Sequence, residues 1–92
     1  MTPERLIELI DSQGHSDRKK YVEMEKLTGI KKETIKNLCR SHQKFNNEHL
    51  EAFAEAFPQY KMWFAFGEVY PEIGQISPAL ENEEGRDIAA AQ

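Results

Sequence analysis

Gly29, set between Thr28 and Ile30, interrupts two stretches that each place apolar residues at helical spacing, and a chain built that way has few ways to fold. Upstream, Val22, Met24 and Leu27 supply the apolar contacts of one helix, whose start lies anywhere from 17 to 21. Downstream, a second helix from Lys31 or Lys32 to Ser41 turns Ile35, Leu38 and Cys39 to one side and Lys32, Glu33, Lys36, Asn37 and Arg40 to the other. In a twenty-residue window opening at Tyr21, Met24 is fourth, Gly29 ninth, Ile30 tenth, Ile35 fifteenth and Leu38 eighteenth. Two helices crossing steeply through a short turn need an apolar residue before the turn, a glycine within it and apolar residues on the second helix facing the first. The spacing is that of a helix-turn-helix over about 21–40, and it leaves the outer face of the second helix free.

The flanking sequence extends the helical pattern. Thr2, Pro3 and Glu4 form an N-cap, a first-turn proline and an acid at the positive end of the dipole. The spacing predicts a helix over about 3–13, with Leu6, Ile7 and Ile10 on one face, Leu9 beside them and Gly14 as its stop. After the motif, Asn46 or Asn47 caps a helix whose stripe is Leu50, Phe53, Ala54 and Phe57, ended by Pro58. Gln59 to Phe66 reads as a short aromatic-rich turn or helix stopped by Gly67. The expected fold is therefore all-α: five helices in residues 1–67 as one compact domain. Residues 68–92, punctuated by Pro71, Gly74 and Pro78, form a C-terminal extension expected to be partly irregular or disordered. No strand pattern or internal repeat is visible.

Ninety-two residues hold one core, and 39% hydrophobic with 30% charged residues is a globular composition. No apolar run approaches the length of a membrane helix, and no secretory leader pattern opens the chain. Cys39, the single cysteine, has no intramolecular disulfide partner, which points to a reducing cytoplasm. The net charge of −4 conceals a division along the chain. Residues 15–44 carry nine Lys or Arg against four acids, a net of +5, whereas from 48 onward nine acids oppose two basic residues, a net of −7. The basic middle third contains the helix-turn-helix spacing and suits a polyanionic partner.

On the Gly29-Ile30 turn, Ile35, Leu38, the preceding helix and the run Leu50-Glu51-Ala52-Phe53-Ala54-Glu55-Ala56-Phe57, residues 3–66 resemble the lambda-repressor-like (Cro and phage-repressor type) helix-turn-helix proteins. The stretch Pro58-Gln59-Tyr60, Trp63 and Gly67-Glu68 is similar to small bacterial and phage members of that group. The resemblance implies sequence-specific binding of double-stranded DNA by a homodimeric, repressor-like transcriptional regulator, with the helix from Lys31 in the major groove. It puts Lys32, Glu33, Thr34 and Asn37 at base-reading places and Tyr21, Arg40 and Lys44 where phosphate contacts are common. Side-chain chemistry agrees in part: a lysine suits guanine, Asn37 can bind adenine with both ends of its amide, and Glu33 can accept from cytosine. Lys19, Lys20, Lys31 and Lys36, with Arg18, Arg40 and Lys44, would add phosphate affinity without sequence information. Two positions depart from the family pattern. Glu25 stands where a small residue is usual at the helix crossing, so it must tilt outward or find a basic partner. Lys31 stands where a capping Ser or Thr is frequent, a cap worth about 1 kcal/mol.

Other constellations carry less. Tyr60, Trp63, Phe64 and Phe66 lie in the acidic half, which disfavours stacking on single-stranded bases, so they read as core or dimer contacts. Cys39 and His42 are i, i+3 neighbours, but with His49 and His15 they make no tetrahedral ligand set, so no metal is expected and Cys39 reads as a small buried hydrophobe. Paired carboxylates in an apolar setting, a phosphate-cradling glycine loop and a nucleophile with its base are all missing from the pattern. No enzymatic activity, cofactor, small-molecule substrate or membrane association is expected. The alternative reading is a protein-interaction adaptor on the same scaffold, working through the acidic half and its aromatic side chains.

Overall fold

The computed structural model describes residues 1–81. It is all-α: α1 (Pro3–Ser12), α2 (Lys20–Thr28), α3 (Lys32–Cys39), α4 (Asn47–Ala56) and α5 (Lys61–Phe66), with 3-10 turns at Pro58–Tyr60 and Pro71–Ile73 and helical backbone again at 78–81, the last described residues. Among the described residues the single β feature is an isolated antiparallel bridge between Tyr70 and Gln75. No described helix is long and apolar enough to cross a membrane. The disorder expected toward the C-terminus falls mostly on residues 82–92, which lie outside the described residues.

Helix ends follow the local chemistry. The Thr2 side chain accepts from the Arg5 amide at the start of α1, and Gly29 closes α2 in the left-handed conformation, its amide donating to the Glu25 carbonyl at 2.8 Å. At α4 the Asn46 side chain accepts from the His49 amide (2.9 Å), while the Asn46 amide donates to His49 Nδ1 (3.2 Å), a complete capping box. The third helix stops at Cys39 instead of Ser41. Ser41 adopts φ +60, and the Ser41 and His42 amides donate back to the carbonyls of Leu38 (3.3 Å) and Asn37 (2.9 Å). That is the Schellman termination, here with serine at the position glycine usually takes. The aromatic stretch after Phe57 divides into a 3-10 turn and α5 because Pro58 supplies no amide to continue a helix.

The core is built from Leu6, Leu9 and Ile10 of α1, Met24 of α2, Ile35 and Leu38 of α3, Phe53 of α4, and Phe57, Tyr60, Trp63 and Phe64. This corrects the expected α1 stripe: Leu9 is buried and Ile7 faces out, 42% exposed. In α2 Met24 alone is fully buried, and Leu27 is exposed. Tyr60, Trp63 and Phe64 belong to the interior, and Phe53 and Phe64 meet with ring centroids 5.2 Å apart. Phe66 points outward. The crowding of large side chains between Phe57 and Phe66 is thus accommodated within one chain for all but Phe66, because two consecutive elements share the rest.

The extension is tied down by polar groups. Gln75 donates from Nε2 to the Pro58 carbonyl and accepts at Oε1 from the Met62 amide, both at 3.0 Å. The Ile76 amide donates to the Gln59 carbonyl at 2.8 Å, Ile76 packs on the core and Pro78 is buried. The Tyr60 hydroxyl donates to the Glu81 carboxylate. Burial, reinforced by that carboxylate, pushes the Tyr60 phenol up to about 12.

Candidate nucleic-acid interface

The short connection Gly29–Lys31 packs α3 directly against α2, burying Ile35 and Leu38 and presenting the remaining faces of α3 outward. Residues 32, 36 and 40 recur every four positions and so form one row along the helix; 33 and 37 form the adjacent row. The first row faces the start of α2 across a concavity of about 440 Å³ lined by Asp17, Arg18, Tyr21, Val22, Lys32, Lys36 and Arg40. Four cations and one acid line it, from three places in the sequence. Tyr21 anchors the arrangement: the ammonium of Lys20 lies 5.2 Å and that of Lys36 5.5 Å from its ring centroid.

The helix start carries its own device. Lys31, the N-cap residue of α3, makes no side-chain capping bond, but Glu25 reaches across from α2 and accepts the Lys32 amide at Oε1, 2.8 Å away. Glu25 therefore neither tilts away nor finds a basic side chain. It satisfies an orphan amide, brings negative charge to the positive end of the α3 dipole and ties the two helices together. The sequence signal was present as two separate departures, at 25 and 31, which the fold makes complementary.

No known protein family and no characterised protein matches the chain. The resemblance noted above therefore rests on its own residues.

Lys32 and Glu33 are exposed on α3, and Thr34 and Asn37 are half-buried beside them. Glu33 lies 3.7 Å from the Lys36 ammonium. Lys19 and Lys31 are exposed but do not line the concavity. Lys20 is committed locally, to Asp17 at 3.4 Å and Asp11 at 3.8 Å. Burial works against its charge, yet Tyr21, Asp17 and Asp11 outweigh that and hold the ammonium above the ordinary lysine range. Lys44 is set apart, in a separate hollow with Met1, Pro3, Ser41, Gln43 and Phe45. Arg18, on the loop before α2, is brought in beside Tyr21.

The remaining candidate groups are occupied or inert. His49 is buried with Nδ1 used by the capping box, and among the described residues no three His, Cys, Asp or Glu side chains come together to hold a metal. Cys39 is half-buried, and burial pushes its thiol up to about 11, so it is a poor nucleophile at neutral pH.

Proposed function

We propose that the chain is a non-enzymatic, sequence-specific binder of double-stranded DNA, with α2, the turn and α3 forming a helix-turn-helix of the lambda-repressor type. The observation that carries this reading is the cationic groove in which Arg18, Lys32, Lys36 and Arg40 meet around Tyr21. Backbone phosphates suit such a groove, and counterions released from them provide the affinity. Sequence is then read from α3 itself: Lys32, the first cation of the groove row, toward guanine, and from the adjacent row Asn37 toward adenine, with Glu33 accepting from cytosine. The adaptor reading keeps only Phe66 of the four aromatic side chains from 60 to 66 that it invoked, since Tyr60, Trp63 and Phe64 are interior.

As a repressor-like regulator in the cytoplasm the protein would act as a homodimer on two half-sites. A hollow of about 650 Å³ on α4 supports pairing of two copies. It is lined by the apolar Leu50, Ala54 and Pro58 together with Glu51, Glu55, Lys61 and Gln75. Across a two-fold axis Glu51 or Glu55 of one copy could pair with Lys61 of the other. The test is selection of bound duplexes from a random pool: wild type recovers a two-fold symmetric motif, and Lys32→Ala shifts one position of each half-site. Recovery of no motif, or an unchanged motif with Lys32→Ala, refutes the assignment of α3 as reader.

A further inference from the structure

Six large hydrophobic side chains are exposed among the described residues, and four fall in one eight-residue span: Phe66 (64%), Val69 (40%), Tyr70 (37%) and Ile73 (71%). The span is held by other means. Tyr70 and Gln75 exchange backbone hydrogen bonds (2.6 and 3.1 Å), and the amides of Ile73 and Gly74 close the 3-10 turn onto Tyr70 and Pro71. Left-handed Gly67 and Gly74 reverse the chain at its two ends, and the Gln75 side chain clamps it to the Pro58–Met62 segment. A loop fixed by polar contacts while its apolar side chains stand in water offers area that a partner can bury with little ordering cost.

Charge decides which partner. Glu68 and Glu72 alternate with the apolar residues, and no Lys or Arg occurs from 62 through 81. The Tyr70 hydroxyl donates to the Glu68 carboxylate, holding ring and acid side by side. Arg5 reaches the edge of the loop at Gly67, where its guanidinium donates to the Phe64 carbonyl at 3.4 Å. We infer that residues 66–73 form a docking surface for a segment of another protein that combines Lys or Arg with large apolar side chains. A second copy meeting this loop across a two-fold axis would set Glu68 and Glu72 against like charges, and duplex DNA would meet the same repulsion. The surface is separate from the α2–α3 groove, so it stands whether or not that groove binds DNA.

The experiment is selection of twelve-residue peptides from a random pool against the full chain, followed by titration into isotope-labelled protein. The recovered peptides should pair Lys or Arg with Leu, Phe or Trp, shift the amide resonances of 66–75, and bind the doubly substituted Phe66→Ser/Ile73→Ser protein at least tenfold more weakly. Because both side chains are exposed, that variant should keep the helical circular dichroism of the wild type. Peptides without basic residues, shifts confined to other faces, or equal binding to a folded double variant would overturn the inference. So would a wild-type homodimer that the double substitution dissociates, since it would assign the loop to a second copy.

Discussion

Glu25 converts two unfavourable residues into one interaction. A carboxylate at a helix crossing and a lysine at an N-cap are each poor choices alone, but the 2.8 Å bond from the Lys32 amide resolves both. Glu25→Ala should lower the unfolding free energy by about 1 kcal/mol, the usual worth of a helix cap. Glu25→Gln, which keeps the acceptor and loses the charge, should recover more than half of it; urea denaturation of the three proteins checks this. Ser41 is the converse case, a side chain in a backbone region that suits glycine, at φ +60. Ser41→Gly should stabilise the protein by about 0.5–1 kcal/mol, because the left-handed penalty removed exceeds the extra chain entropy glycine brings to the unfolded state. A rise in urea midpoint without change in slope is the expected signature.

At the level of elements, α3 depends on its neighbours: eight residues without a side-chain cap of their own form a weak isolated helix. Burial of Ile35 and Leu38 and the Glu25 bond hold it, and Tyr21 aligns Lys36 along it. The extension depends similarly on Gln75. Gln75→Ala should cost about 1–2 kcal/mol, since it removes the acceptor of the Met62 amide and the donor to Pro58. Amide exchange at Ile76 should accelerate more than exchange at Ile35; an equal acceleration at the two sites would refute the clamp. Here lies the limit of sequence reading. The helices were legible because caps, glycine stops and apolar periodicity are local signals, and Asn46, Gly29 and Pro58 all act where they stand. The return of 68–81 onto the Pro58–Met62 segment was not, because one glutamine among polar loop residues shows nothing of the two backbone groups it will meet. Ile7 and Leu9 exchanged roles for a related reason: four apolar residues in five positions leave the buried face to be chosen by tertiary packing.

Over the whole molecule the two chemical halves of the sequence become two surfaces of one small body. The basic third supplies the α2–α3 groove, and the acidic remainder supplies the α4 face and the 66–73 loop. Convergence of Arg18 with Lys32, Lys36 and Arg40 was expected only in outline, since charge counting cannot say which cations share a face. It also cannot show that Lys20 sits beside Asp11 and Asp17 and does not line the groove, or that Lys44 lies elsewhere. The central claim is that this groove holds duplex phosphates. Its most direct test is the affinity of the full chain for a selected duplex as a function of salt, beside Arg40→Ala. With Lys32 on a base, the groove cations Arg18, Lys36 and Arg40 predict a logarithmic slope of about −3 per bound chain, with Arg40→Ala weakening every sequence alike and flattening the slope by about 1. Affinity that is indifferent to salt, or an Arg40→Ala slope equal to that of wild type, would contradict the account.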